Sequence, residues 1–341
     1  MDLLPNQEQE QIVDAITAFL EKESPVQRLI GRAPSAPLTD RAMWAHYGQL
    51  GWVGLGVSEQ DGGVGYSLVE ETLLFREAGR YLLSPSLLST MLAARLAIAA
   101  GKSDMAASLL SGNKVACWAA PRAGAQAAPK VSGAFQLFER EEADYAVAIF
   151  GGQAALIDIA DFDDVQPTPC MDETVSLAYA TAKDIAPLIA SAEQYGPLSQ
   201  EANIMIAAIM SGMASGACDL AVDYAKLREQ FGKQIGAFQA IKHMCSDMAV
   251  RSEAATAQTT YAVLAAEASQ ADVVFQIASA GVLASQAAHL NAAANVQIHG
   301  GIGYTAEHAP HLYVKRSHVM DCIGGGQRSR LRQALEADAA V

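Results

Sequence analysis

The sequence predicts a mainly α-helical fold with one small β domain, and three observations lead to that prediction. The chain has 341 residues, 51% hydrophobic and 18% charged, which is enough for a large buried core. It is rich in alanine and has only twelve prolines, a composition that favours packed helices. Apolar residues recur at helical spacing at both ends of the chain, whereas short apolar runs occupy its middle.

The N-terminal part, residues 1–113, is predicted to be a helical domain. The glycine-rich segment 51–65 interrupts it, and its glycines are expected to form turns rather than helix interior. Apolar residues recur every three or four positions on both sides of that segment. Helices are therefore predicted at 8–21, 40–50, 67–80 and 86–100.

The middle part, residues 114–187, is predicted to be a small β domain. Its apolar runs are short and are separated by glycine, proline and aspartate, which is typical of strands and turns. Strands are predicted at 115–120, 135–138, 145–150 and 154–159. The acidic residues Asp161, Asp163 and Asp164 form a charge run that is expected in a solvated loop.

The C-terminal part, residues 188–341, returns to helical periodicity and is predicted to be a four-helix bundle. Its first apolar stretch, 202–218, raises the alternative of a membrane span. It contains Asn203 and runs directly into the charged segment 219–234, so a buried core helix is expected instead. The helices of this bundle are predicted at 202–228, 237–268 and 271–296.

Charge and cysteine content exclude several classes of function. The formal net charge of −14 argues against nucleic acid as a partner, because a polyanion requires a basic surface. The five cysteines are scattered, with no C-x-x-C motif and no histidine at ligand spacing. We therefore expect neither a disulfide framework nor a metal site. The odd number of scattered cysteines fits a reducing cytoplasm, so a cytoplasmic location is expected, and the first residues do not resemble a signal peptide.

Two segments of the C-terminal part carry residues suited to binding an anionic, aromatic ligand. Arg228 presents five donors in a fixed geometry that matches a pyrophosphate. Gln230 and Gln239 add amide donors, and Phe231 offers a flat apolar face. The alternatives are a surface ion pair for Arg228 and an ordinary core position for Phe231.

The second segment contributes glycines. Gly300, Gly301 and Gly303 remove side chains, so that backbone N–H groups can approach a ligand closely. A tight turn between two helices would require the same residues, so these glycines alone leave both interpretations open.

Three stretches together resemble the acyl-CoA dehydrogenase family. Residues 228–239 read R-E-Q-F-G-K-Q-I-G-A-F-Q, and residues 297–305 read Q-I-H-G-G-I-G-Y-T. Residues 51–65 begin G-W-V-G-L-G-V, and residues 77–80 read E-A-G-R. The resemblance implies a helical domain, a middle β domain and a C-terminal four-helix bundle. It also implies FAD as cofactor, an acyl-CoA substrate that is desaturated between its α and β carbons, and an electron-transfer acceptor.

The resemblance also assigns roles to individual residues. In this family the matching C-terminal segments reach across a dimer interface and hold the ADP half of the FAD whose ring lies in the neighbouring subunit. His299 is expected either to line the adenine region or to be a structural histidine. The implied cofactor-binding residues are Arg228, Gln230, Phe231, Gln239, Gln297, Gly300 and Gly301.

The β domain departs from the family pattern. Acyl-CoA dehydrogenases carry a T-E-P-x-x-G-S-D type loop and a W-I-T/S segment that bind the flavin ring and CoA. Here the corresponding loop, Trp118 to Gln126, reads W-A-A-P-R-A-G-A-Q, and no W-I-T follows. Alanines supply only backbone groups to a flavin ring, so the chain's own ring site is predicted to be defective.

The family's catalytic base is missing as well. Desaturation requires a carboxylate close to the α carbon of the thioester. The usual position of that carboxylate falls at Gly324, and the alternative position used by some members falls at Ala202. Glu201 is one residue from the alternative position, which turns it about 100° around a helix. Glu201 therefore remains as a candidate base beside the prediction that this chain has none.

These features lead to the hypothesis of a subunit that helps to bind FAD but does not supply the base. It resembles the short, non-catalytic subunit of α2β2 acyl-CoA dehydrogenases of steroid side-chain degradation, and its segment 306–316 resembles that branch. The implied partner is a second acyl-CoA dehydrogenase subunit that carries the catalytic Glu. Two alternatives stay open: a self-sufficient homo-oligomeric enzyme and a flavin-free scaffold.

Overall fold

The computed structural model describes residues 3–32, 38–122, 124–126, 129–150, 153–191 and 198–337. Their order is helix, sheet, helix, as the sequence predicts. The helices are α1 (Gln7–Glu23), α2 (Arg41–Gln49), α3 (Leu68–Arg80), α4 (Ser86–Ala99), α5 (Ser103–Leu110), α6 (Leu198–Leu227), α7 (Gln239–Glu267), α8 (Val273–His299), α9 (Pro310–Ile323) and α10 (Gln327–Glu336). The strands are β1 (Ala116–Pro121), β2 (Val131–Phe138), β3 (Tyr145–Phe150), β4 (Gln153–Asp158), β5 (Asp163–Pro167), β6 (Leu177–Ile185), β7 (Ile189–Ser191), β8 (Glu229–Gln230) and β9 (Lys233–Gln234).

Local capping explains where the first two helices begin. The Asn6 side chain accepts a hydrogen bond from the Gln9 backbone N–H at 2.9 Å, and the Gln9 side chain accepts one from the Asn6 N–H at 3.0 Å. This reciprocal pair is a capping box. Asp40 caps α2 by accepting a hydrogen bond from the Met43 N–H at 2.8 Å. The helices predicted at 8–21 and 40–50 are confirmed, and each begins at a side-chain cap.

The β domain is one seven-stranded sheet with strand order β5-β6-β2-β1-β3-β4-β7. Neighbouring strands are antiparallel except for β1 and β3, which are parallel. The four predicted strands correspond to β1–β4, whereas β5, β6 and β7 were not predicted. Asp163 and Asp164, expected in a loop, lie on β5 at one edge of the sheet and are exposed. An edge strand tolerates such charges because it needs no apolar pattern to pair.

Helix α6 is a core helix, as expected, because 83% of its most apolar 18-residue window is buried. Its glycines permit a very close approach to α3. A Cβ atom on Gly212 would lie 1.8 Å from the Arg76 carbonyl oxygen, and one on Gly79 would lie 1.9 Å from the Ile209 carbonyl oxygen. The E-A-G-R segment and the small residues of α6 therefore serve helix packing.

Two side chains of α9 satisfy backbone carbonyls at the end of α3. The Tyr313 hydroxyl donates to the Arg80 carbonyl at 2.7 Å. The buried Arg316 guanidinium donates through Nη1 to the carbonyls of Leu82 at 3.0 Å and Leu83 at 2.7 Å. The last carbonyls of a helix have no partner within the helix, so these donors fix the chain where α3 ends.

The chain forms two compact units that interleave along the sequence. One contains Met1–Arg32, Leu68–Leu83 and Asn203–Val341, and the other contains Ala33–Ser67 and Ser84–Ala202. Helices α1 and α3 thus belong to the same unit as the C-terminal bundle. The predicted domain boundaries at residues 113 and 187 remain a prediction.

Candidate cofactor-binding site

A short hairpin at the end of α6 positions the first group of predicted site residues. Strands β8 and β9 pair antiparallel, and the two residues between them, Phe231 and Gly232, have φ values of 54° and 76°. Two successive positive φ angles are typical of a type I′ turn, whose twist matches that of a hairpin. The Arg228 N–H donates to the Tyr224 carbonyl at 2.8 Å, which joins the hairpin to the helix.

Phe231 is therefore at the tip of the hairpin and is 92% exposed. Its ring makes an edge-to-face contact with Phe238, with 6.1 Å between centroids. The Lys233 ammonium lies 4.3 Å from the centroid of the same Phe238 ring. A phenylalanine in a left-handed conformation with its ring in solvent is not a core residue of this chain.

The glycines after α8 have different roles. Gly300 has a φ of 66°, so it ends the helix in a conformation that favours glycine. A Cβ atom on Gly303 would lie 2.7 Å from His299 Cβ, so Gly303 is required for packing. Gly301 has no atom within 4 Å of the place where its Cβ would be. Gly301 therefore leaves open space beside its backbone.

The hairpin and the glycine segment together enclose a pocket of about 250 Å³, which we call the C-terminal pocket. Polar groups come from Arg228 and Gln230, and the apolar surface comes mainly from isoleucines. The lining residues are Tyr224, Arg228, Gln230, Ile235, Ile298, His299, Gly301 and Ile302. A pocket with a guanidinium on one side and flat or apolar surfaces on the other fits a ligand that joins an anion to a ring.

His299 forms one wall of this pocket together with Tyr224. The two rings stack, with 4.0 Å between centroids and 19° between planes. His299 Nδ1 lies 2.9 Å from the Asn295 carbonyl oxygen, so Nδ1 carries the proton and donates it. Burial lowers the pKa of His299, with a smaller contribution from the charge of His308. The neutral ring leaves Nε2 as a hydrogen-bond acceptor.

The structure brings three of the seven predicted binding residues, Arg228, Gln230 and Gly301, into the lining of the C-terminal pocket. The other four, Phe231, Gln239, Gln297 and Gly300, are exposed near it in sequence but are not part of that lining. Tyr224, which was not predicted as a site residue, also lines the pocket. It precedes Arg228 by one helical turn and so shares its face of α6, a signal that the sequence contains.

Neither position considered for a catalytic base presents a free carboxylate. Glu201 is next to Ala202 in the first turn of α6, and its carboxylate forms an ion pair with the Arg95 guanidinium. Both side chains are mostly buried, with 24% of Glu201 and 16% of Arg95 exposed. The Glu201 carboxylate is therefore already engaged by a guanidinium in this structure.

Gly324 ends α9 with an ordinary backbone conformation, φ −80° and ψ 13°. A Cβ atom there would lie 1.9 Å from Arg330 Nη2 and 3.1 Å from an Ile206 methyl group. The space beside Gly324 is therefore already filled by protein.

The segment from Trp118 to Gln126 begins within a strand, as the strand predicted at 115–120 implies. Its first four residues belong to β1, where Trp118 pairs with Phe138 and Pro121 pairs with Phe135. The Trp118 ring is buried, with 4% exposed. All four of these residues pair with β2, but the pairing with β3 ends at Trp118, so a neighbouring strand engages only one backbone edge of Ala119, Ala120 and Pro121.

Comparisons with known proteins identify related sequences over most of the chain. Residues 6–113 match the family model described as "Acyl-CoA dehydrogenase, N-terminal domain", and residues 199–337 match "Acyl-CoA dehydrogenase, C-terminal domain". The chain is 31% identical to acyl-CoA dehydrogenase IpdE2 of Mycobacterium tuberculosis over 98% of both chains. It is 35% identical to acyl-CoA dehydrogenase FadE34 of the same organism over 86% of this chain, but spans only 41% of FadE34.

Two solved structures share the fold. The ChsE4-ChsE5 complex from Mycobacterium tuberculosis superposes with a TM-score of 0.81 at 20% identity, covering 99% of this chain and 100% of that chain. The G363A variant of the Tcur3481-Tcur3483 steroid ACAD superposes with a TM-score of 0.83 at 22% identity, covering 97% of each chain. At these identities the similarity establishes the fold.

Proposed function

Because this chain belongs to the acyl-CoA dehydrogenase family, we propose that it is a non-catalytic subunit of a heteromeric, flavin-dependent acyl-CoA dehydrogenase. In this proposal the chain contributes binding of the ADP half of FAD across a subunit interface. The partner subunit contributes the surroundings of the flavin ring and the catalytic Glu. The complex desaturates an acyl-CoA thioester between its α and β carbons and passes electrons to an electron-transfer acceptor.

The observation that carries the proposal is a contrast within one chain. The C-terminal pocket keeps an arginine, a glutamine and an open glycine around about 250 Å³. The two base positions, by contrast, hold Gly324 and Ala202, and the neighbouring Glu201 is paired with Arg95. A chain that retains cofactor-binding groups and lacks an available base is suited to completing the site of another subunit.

The lining of the C-terminal pocket fits the ADP half of FAD, the cofactor of this family. Arg228 would bind the pyrophosphate, because a guanidinium forms charge-assisted hydrogen bonds to phosphate oxygens. Gly301 would let the backbone approach the ligand, and the Tyr224–His299 stack would offer a flat surface and the Nε2 acceptor to the adenosine. When bound, FAD accepts the electrons that desaturation releases.

An exposed apolar face on α8 supports the presence of a partner subunit. Only 44% of its most apolar 18-residue window is buried, in contrast to α6. Leu283 and Leu290 lie seven residues apart and are exposed, and the exposed polar Gln297 follows at the same interval. A seven-residue repeat is the spacing at which one helix face meets a partner helix. FadE34 is more than twice as long as the region that matches this chain, which is consistent with a two-part enzyme.

We propose a steroid side-chain CoA thioester as the substrate, by analogy. The support is the resemblance of segment 306–316 to the steroid branch and the similarity to a protein described as a steroid ACAD. In this chain Tyr313 and Arg316 of that segment fix the end of α3, so they support the fold and do not select the acyl group.

Flavin counting tests the proposal. The chain is purified alone and together with the product of a neighbouring acyl-CoA dehydrogenase gene, and flavin is measured per subunit. We expect little FAD on the isolated chain and fewer FAD molecules than subunits in the complex. One FAD for each isolated chain, with dehydrogenase activity, would favour the self-sufficient homo-oligomer. A colourless complex would favour a flavin-free scaffold. So would a partner protein that binds flavin and is active to the same extent without this chain.

A further inference from the structure

A buried arginine lies directly beside Gly324. The Arg330 side chain is 5% exposed, and its Nη1 donates to Asp321 Oδ1 at 2.5 Å. Asp321 also accepts a hydrogen bond from the Ser285 hydroxyl at 3.0 Å. Three helices, α8, α9 and α10, thus contribute to one fixed position for the guanidinium. A buried charge that is paired and hydrogen-bonded in this way does not move without cost.

Two glycines make room for this arginine. A Cβ atom on Gly281 would lie 2.7 Å from Arg330 Cδ, and one on Gly324 would lie 1.9 Å from Arg330 Nη2. The φ of −80° at residue 324 is accessible to every amino acid. The backbone conformation at residue 324 therefore does not require glycine. Glycine is required there because the Arg330 guanidinium occupies the space of a side chain.

The surroundings of Arg330 would also capture an acid introduced at that point. Arg330 Nη2 is buried and has no hydrogen-bond partner in the part of the chain that the structure describes. Such a donor is costly to leave unsatisfied, so a nearby carboxylate would bind it. The charged and titratable groups around it are Asp321 on α9 and His289 on α8, while α6 contributes the apolar Ile206.

We propose that Arg330 excludes a catalytic base from this subunit. Its guanidinium fills the volume that a side chain at position 324 would enter, and it would hold any carboxylate placed there in an ion pair. This inference rests on the proposed function, in which residue 324 is the position of the family's base. It goes beyond that proposal, because two residues that depend on each other, Gly324 and Arg330, then account for the missing base, and not the glycine alone.

A double-mutant cycle tests the steric part of the proposal. Thermal midpoints are compared for Gly324→Ala, Arg330→Ala and the double variant, with Arg332→Ala as the control, an exposed arginine on the same helix. We expect Gly324→Ala to lower the midpoint by several degrees when Arg330 is present and to have no effect once Arg330 is alanine. Additive effects would show that the two residues are independent and would overturn the proposal.

The electrostatic part is tested by introducing an acid. Gly324→Glu is compared with Gly324→Gln from about pH 2 to about pH 8, in the natural chain and in the Arg330→Met background. With Arg330 present, the pKa of the new carboxyl is lowered, so the Glu variant gains stability above about pH 4.3 and loses it as the pH falls. With Met at 330, burial raises that pKa, so the Glu variant loses stability as the pH rises.

The same pH dependence in both backgrounds would show that Arg330 does not capture the carboxylate. These measurements use the isolated chain and need no flavin. Their failure would leave the proposed role in FAD binding untouched, because that role is judged by flavin content in the complex. Conversely, coupling between residues 324 and 330 would persist even if the complex proved to hold no flavin.

Discussion

Two glycine-rich segments end successive helices of the C-terminal bundle, and they differ in what fills the space beside them. After α8, Gly301 has no atom within 4 Å of a Cβ position and lines the C-terminal pocket. After α9, Gly324 is in contact with a buried guanidinium. One segment leaves room for a ligand and the other for the protein's own side chain. Glycines alone therefore do not indicate a binding site, because the volume they release can be claimed from within the fold.

Substitutions around Gly324, the filled position, are expected to lower the stability of the fold more than substitutions around Gly301. Asp321→Ala should lower the free energy of unfolding by about 3 kcal/mol, because it leaves Arg330 buried without its counter-charge. Chemical denaturation measures this effect, and Asp223→Ala, an exposed acid on α6, is the control. A loss below about 0.5 kcal/mol, the size of a surface substitution, would mean that the Arg330 charge is compensated elsewhere.

The same pair predicts a pH dependence. Burial alone would raise the pKa of Asp321, but the hydrogen bond and charge of Arg330 outweigh it and hold that pKa below its ordinary value. Asp321 therefore stabilises the fold above its unfolded-state pKa, and this contribution is lost as the pH falls through the lowered folded-state value. Comparing the natural chain with Asp321→Asn during acid denaturation should show the difference shrinking at low pH.

Substitutions in the C-terminal pocket beside Gly301 are expected to change ligand binding and not the stability of the fold. Arg228→Ala should weaken FAD binding by the assembled complex roughly 10- to 100-fold, because a charge-assisted hydrogen bond contributes about 1.5–3 kcal/mol. Flavin release on dilution measures the change, with Arg332→Ala as the matched control. Unchanged retention would show that Arg228 does not contact the pyrophosphate.

A smaller effect is expected from the aromatic wall of the pocket. Tyr224→Leu keeps apolar contact but removes the stack on His299, which is worth about 0.5–1.5 kcal/mol. FAD affinity of the complex should fall by up to about tenfold. Tyr179→Leu, a partly exposed tyrosine on β6, is the control. If both variants behave alike, the Tyr224–His299 stack is structural and makes no contact with adenosine.

The smallest effect is expected at Glu201. Glu201→Gln in the assembled enzyme should leave turnover largely unchanged, because the carboxylate is already paired with Arg95. Loss of a general base costs roughly 10²–10⁴-fold in rate. A decrease of that size with unchanged flavin content and assembly would identify Glu201 as the base. It would also remove the main contrast between an intact pocket and a missing base.

Periodicity determined the helical parts of this protein because amphipathic spacing is a local property. The predicted helices at 8–21, 40–50, 67–80 and 86–100 and the four first strands all have counterparts. The strand β5 escaped prediction because an edge strand pairs through its backbone and needs no apolar pattern. The interior strand β6 was missed because its buried positions are alanines, which carry little strand signal, and β7 has only three residues. Where a strand's neighbours decide its existence, local sequence carries little signal.

The candidate site divides in the same way. The sequence by itself singled out Arg228, Gln230 and the glycines of 300–303. Hydrogen-bond donors and missing side chains follow directly from the residue types, without knowledge of the fold. Only the tertiary structure showed that the space beside Gly301 is open, whereas the space beside Gly324 is filled by Arg330. It also brought Glu201 to Arg95, which is 106 residues earlier in the chain. Whether a position is open or filled depends on side chains from distant helices, and packing, not local sequence, decides that.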